Sequence, residues 1–177
     1  MDEVRTGLGK AGAVDSIGFD TWGVDFGLLG KNGTLLEAPV HYRDGRTAGM
    51  VEQALRTMDA RTLYGATGNQ IMAINTLFQL LAVKEQEVWR RAKRLLFMPD
   101  LFIHALCGAQ VCERTIASTS QMQDARTGAW DRDVLAAYRI PERLFAPSVP
   151  SGTVVGALEN GAKVVAVAGS VKSSAGT

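Results

Sequence analysis

Two carboxylates, an indole and a glycine fall close together at Asp20, Trp22, Gly23 and Asp25. Carboxylates accept hydrogen bonds from hydroxyls, and an indole covers the apolar face of a sugar ring, so this set suits a polyol. The same residues also fit a bulged strand whose Trp22 is core and whose acids cap turns. Gly23 adds weight to the first reading, because a glycine inside a strand pattern marks a bulge or a close backbone approach. Gln70 and Asn75 lie in the irregular stretch ATGNQIMAI, where their amides could reach hydroxyls. Helix capping is the simpler account of Asn75. His41 and His104 are far apart in sequence and form no Ser/His/Asp arrangement; His104 sits in an apolar helix and reads as a packing residue.

The elements that must hold these groups are sheet material at both ends of the chain with a helical middle. Apolar runs at Ile17–Phe19 and Val24–Leu29 precede Lys31-Asn32-Gly33, a hairpin signal that predicts a return strand over Thr34–Val40. Thr47 is expected to cap a helix to Leu55. Asp59 is expected to start a second helix that buries Leu63 and Tyr64 and stops at Gly65. Asn75 or Thr76 opens the clearest helix, from Leu77 to about Glu87, with a broad apolar face. Pro99 and Gly108 bracket a helix over 100–107, and Asp131 caps one over 132–138. Val154–Gly156 and the apolar Lys163–Ala168 read as short strands, the second buried on both faces. This order predicts an α/β domain with its ligand at strand ends.

Composition narrows the class. With 177 residues, 46% hydrophobic and 21% charged, the chain has the size and apolar content of one globular domain. A net charge of +1 argues against nucleic acid or an anionic membrane as partner, and no apolar stretch is long enough to cross a bilayer. Arg90, Arg91, Lys93 and Arg94 read as a solvated helix face. Two cysteines, Cys107 and Cys112, are too few for a disulfide framework or a zinc site. They predict reduced thiols in a cytoplasmic protein. No phosphate-binding G-x-x-x-x-G-K-[ST] loop, G-x-G-x-x-G fingerprint or H-E-x-x-H is present.

Five blocks, SIGFDTWGVDFGLL, PVHYRDGRT, ATGNQIMAINTLFQL, LLFMPDLFIHALCG and VVAVA, closely resemble the rhamnulokinases in order from about Asp15 to Ala168. Those enzymes are a branch of the carbohydrate-kinase family that includes glycerol and xylulose kinases. The resemblance implies an incomplete ribonuclease-H/actin-like N-terminal domain, with a mixed sheet and flanking helices. It implies ATP-dependent phosphorylation of L-rhamnulose at its 1-hydroxyl, in rhamnose breakdown. It also implies a sugar cleft shared with a second domain that holds most of the Mg²⁺-ATP. On matching positions it marks Gly23 as the leading sugar contact, Trp22 as shaping the pocket, and Gln70 and Asn75 behind them.

Two departures follow from the same resemblance. Relatives carry a strand and a D-x-G-x-x-x-x-R phosphate loop ahead of the region matched here. After the VVAVA strand they continue S-H-D-T, whose Asp is the general base; this chain reads Gly169, Ser170, Val171 and Lys172, which places Val171 at the base position. The expectation is therefore a kinase segment truncated at both ends, with a ragged N-terminal helix end over 1–14, a partial domain over 15–168 and a disordered tail over 169–177. Such a segment is expected to be inactive, to bind neither ATP nor Mg²⁺ well, and to self-associate through an exposed sheet edge. The alternative is a non-catalytic sugar-binding or regulatory remnant.

Overall fold

A computed structural model describes residues 2–11, 14–159 and 161–167; the expected tail, Ala168 and Val171 lie outside the described residues. Helix α1 (Asp2–Lys10) leads into strand β1 (Ser16–Gly18) and then β2 (Phe26–Leu29). Helices α2 (Met50–Leu55), α3 (Ala60–Thr67), α4 (Thr76–Val83) and α5 (Glu87–Arg91) follow. Strand β3 (Arg94–Phe97) runs straight into α6 (Met98–Cys107). The remainder alternates, with β4 (Cys112–Glu113), α7 (Arg114–Ala117), α8 (Arg132–Ala137), β5 (Ser148–Val149), β6 (Val154–Ala157) and β7 (Lys163–Val165).

The sheet is mixed, as expected, and it is divided. Strand β7 lies between β1, which it pairs in parallel, and β6, which it pairs antiparallel. Strands β2 and β3 form a separate antiparallel ladder with Phe26 opposite Phe97 and Leu28 opposite Leu95. A third ladder joins β4 to β5 in parallel. Helix α4 packs at the heart of the core, with Leu77, Phe78 and Leu80 fully buried beside Leu95, Leu96 and Phe97. Burying each such side chain contributes roughly 1.5–3 kcal/mol relative to exposure.

The predicted hairpin is rudimentary. The turn closes through Gly30 N–H to Thr34 O and Leu36 N–H to Leu28 O, with one bridge between Leu29 and Leu35. Beyond it the return segment does not pair. Pro39 has no N–H to give a ladder, and Glu37–Val40 stand off from β2 across a cavity of about 60 Å³.

Several helix ends also move. Thr47 closes a 3₁₀ turn that Asp44 caps through Arg46 N–H, and α2 starts only after Gly49. Asp59 caps α3 as expected, yet the helix passes Gly65 and ends at Gly68, whose φ of 67° supplies the left-handed stop. Tyr64 is 58% exposed rather than core. The long helix expected from Leu77 breaks after Val83, where Lys84 Nζ donates to Tyr138 O. Helix α6 matches its signals, with Pro99 in its first turn and Gly108 as a left-handed cap. Strand β7 buries Val164 but leaves Lys163 exposed, because β1 and β6 flank it and only one face meets the core.

Candidate functional site

Strand β2 begins immediately after a tight turn at Gly23–Asp25. Asp25 N–H donates to Gly23 O at 2.8 Å, a three-residue turn that forces Val24 to φ 66°. A β-branched residue in this region is strained by roughly 1–3 kcal/mol and persists only where its surroundings over-determine it. Here they do. Val24 N–H donates to Thr119 Oγ1, and Val24 O accepts from Thr76 Oγ1 at 2.7 Å and from Gln79 Nε2 at 3.2 Å. The clamp is drawn from α4 and from the 3₁₀ turn at Ser118–Ser120.

Asp25 completes the arrangement. Its carboxylate is 1% exposed and accepts from Trp22 Nε1 at 2.7 Å and Gln79 Nε2 at 3.3 Å. Gln79 Oε1 in turn accepts from Arg46 Nη2 at 2.6 Å. Burial holds the Arg46 guanidinium below its ordinary pKa, and Asp44 and Asp25 oppose that shift. Trp22 is not core: it is 46% exposed, its N–H is spent on Asp25, and its ring lies 6.2 Å from that of His41. An indole anchored at one edge and half exposed can stack on a sugar ring.

Asn75 precedes Thr76 at the start of α4 and stands beside this turn. Its side chain does not cap the helix. Asn75 Nδ2 donates to Gln70 O at 2.8 Å and to Gln121 Oε1 at 2.6 Å. Both amide hydrogens are thereby used, and the residue is only 3% exposed. Gln70 participates through its backbone carbonyl, and its side chain lies on the surface. Of the four expected sugar contacts, Trp22 and the Gln70 side chain are exposed, whereas Gly23 and Asn75 are buried, and Asn75 joins the site through its neighbour Thr76, which holds Val24 O.

Gln79, Thr76, Thr119 and Arg46 frame the site and carried little sequence signal. Gln79 is the clearest in retrospect, a polar residue between Phe78 and Leu80 on an apolar helix. His104 packs as expected, with Nε2 2.8 Å from Gly33 O and Nδ1 3.1 Å from Gly108 O. Arg94 departs from the solvated face expected of it, donating from β3 to Phe145 O and Arg143 O. Cys107 and Cys112 are free thiols, and burial pushes that of Cys112 well up. No helix among the described residues is long and apolar enough to cross a membrane.

The chain resembles known proteins in both sequence and fold. It is 42% identical over 158 residues to a rhamnulokinase of Yersinia pestis bv. Antiqua (strain Angola), covering 85% of this chain and 33% of the relative. A rhamnulokinase of Enterobacter sp. (strain 638) is 38% identical over 176 residues, covering 94% and 36%. The chain therefore spans about a third of the length of these curated relatives. In fold it resembles a ligand-bound xylulose kinase from Lactobacillus acidophilus, with a TM-score of 0.85 at 19% identity over 94% of this chain and 37% of that one. Plasmodium falciparum glycerol kinase with ADP gives 0.80 at 14% identity, covering 96% and 37%. The pattern of the FGGY family of carbohydrate kinases, N-terminal domain, matches residues 9–172, and the chain belongs to that family.

Proposed function

We propose that this chain forms the sugar-side wall of a kinase that transfers a phosphoryl group from ATP to the 1-hydroxyl of L-rhamnulose. The observation that carries the reading is the clamped Gly23–Asp25 turn beside the half-open Trp22 ring. A strained backbone, held by three hydrogen bonds beside a glycine, is the form a substrate-positioning element takes. The rhamnulokinase names of the relatives support the choice of sugar.

In this reading Gly23 lets a sugar hydroxyl reach the backbone, and the Trp22 ring lies against the sugar. Asp25 and Gln79 are positioning residues that fix the turn and the indole. Asp25 is enclosed by the protein and both of its oxygens already accept protein donors, so it is not the base. In this reading the base position falls at Val171, whose side chain cannot take a proton. Among the described residues no three His, Cys, Asp or Glu side chains gather to hold a metal ion.

An ADP-release assay with L-rhamnulose and Mg²⁺-ATP tests the proposal. The expected result is no turnover above the sugar-free background. A rate in the range of ordinary kinases, about 1–100 s⁻¹, would overturn the assignment of Val171 to the base position. Calorimetry separates the non-catalytic sugar-binding module, which requires heat from L-rhamnulose without nucleotide at millimolar sugar, from a wall that supplies only part of the cleft.

A further inference from the structure

A second cleft lies on the far side of the Asn75–Gln121 contact. It measures about 450 Å³ and is formed where the C-terminal end of α3 meets the turn at 123–128 and the start of α7. The turn is tightly built. Asp124 Oδ1 accepts from Arg126 N–H at 3.0 Å and Thr127 N–H at 2.7 Å, and Gly128 N–H returns to Asp124 O at 2.9 Å. Ala125 N–H donates to Ala66 O, which docks the turn on α3.

Two guanidinium groups line this cleft, Arg114 and Arg126, and neither makes an ion pair closer than 4 Å among the described residues. Arg114 is held in place by its stem. It runs along Gly128, where a Cβ would stand 3.2 Å from Arg114 Cδ, and the φ of 68° there also suits glycine. The third feature is Gln123, which lines the same cleft and is 3% exposed. Its Nε2 is buried and has no hydrogen-bond partner. A buried amide donor left unpaired is destabilising, a cost that an acceptor reaching it from the cleft would remove.

We infer that this cleft binds a small oxyanion, a phosphate group either free or carried on a small metabolite. Guanidinium groups pair with phosphate oxygens through charge-assisted hydrogen bonds, and Gln123 Nε2 supplies a neutral donor beside them. Asp124 is the one carboxylate lining the cleft. Its backbone hydrogen bond from Thr127, and then the Thr127 side chain, hold it below the usual carboxylate range, so it is committed to its own turn. The lining carries one net positive charge, which favours an anion over a neutral sugar. The site also has a mechanical link to the turn at Gly23. Gln121 Nε2 donates to Thr67 Oγ1 and Asn69 O, both on cleft residues, while Gln121 Oε1 accepts from Asn75.

Titration of the full chain with inorganic phosphate at constant ionic strength, read by ¹⁵N NMR, tests the inference. The expected result is a saturable shift of the Gln123 side-chain amide together with the Gly68 and Gly128 backbone amides, weakened at least tenfold in Arg126→Glu. Arg126 is exposed, so that variant is expected to fold, and Arg126→Lys should retain part of the affinity. A parallel titration with glycerol 1-phosphate separates the sources: tighter binding than inorganic phosphate assigns a phosphorylated metabolite, and equal binding assigns the free ion. Shifts that chloride reproduces, that do not saturate, or that survive Arg126→Glu unchanged would overturn the site.

Discussion

Two aspartates are buried to nearly the same degree and live in opposite circumstances. Asp25 is 1% exposed, with Trp22 and Gln79 on its oxygens and Arg46 one side chain away. Asp100 is fully buried in the first turn of α6. One of its oxygens accepts from Glu113 N–H, and the other has no partner. Burial first, and then the neighbouring Glu113 charge, push Asp100 up to about 8 against its backbone hydrogen bonds. What distinguishes the two is the donor set, and the fully supplied aspartate is the one beside the strained turn.

The sharpest way to break this contrast is to remove Gln79, which donates to Asp25 and accepts from Arg46. Gln79→Leu should destabilise the fold by about 3 kcal/mol, because it strips partners from buried charged groups. Asp100→Asn should be neutral or stabilising at pH 8. Urea unfolding of both variants measures the pair. Equal losses would remove the distinction.

The pH dependence tests Asp100 from another side. Asp100 holds its proton in the folded state up to about pH 8, whereas the unfolded chain releases it near the ordinary aspartate value of 3.8. Between those values the folded state binds the extra proton, so this contribution is fully present below pH 4 and is lost as pH rises through 8. Thermal unfolding should show Tm falling from pH 5 to pH 8 by an amount equivalent to about 2–4 kcal/mol, with a flatter profile in Asp100→Asn. A slope unchanged by that substitution would contradict the assignment.

A smaller effect tests the strain at the turn. Val164 is fully buried in β7, and Val164→Gly should cost about 3 kcal/mol through lost burial and backbone entropy. Val24→Gly loses comparable apolar contact but releases the φ of 66°, so its net cost should be about 1 kcal/mol or less. Trp22→Ala removes little buried apolar surface, since the ring is half open, but it takes the indole donor from buried Asp25, so it should cost about 1–2 kcal/mol and also weaken ligand binding.

Much of the local structure was legible because its cause was local. Pro99 and Gly108 bracket α6, Asp59 and Asp131 cap α3 and α8, and each acts within a few residues of its own position. The failures share a different cause. Gly65 and Gly68 are equivalent in composition, and only the backbone of the folded chain assigns the left-handed stop to the second. The Asn-Gly turn formed, but its return strand lost the ladder to Pro39 and to β3, which comes from more than fifty residues away. The site divides along the same line. Trp22 and Gly23 stood out from their own neighbourhood. Thr119 and Gln79 did not, because they meet Val24 across 95 and 55 positions of sequence and nothing local marks them.

The most direct test of the clamped turn as a sugar contact is a ¹⁵N NMR titration of the full chain with L-rhamnulose, without nucleotide. The account predicts that the Gly23 amide and the Trp22 indole N–H shift first and together, and that Gln79→Leu, if it folds, or Trp22→Ala diminishes the shift at Gly23. Shifts confined to the Arg114–Arg126 cleft, or none at Gly23 at saturating sugar, would contradict it.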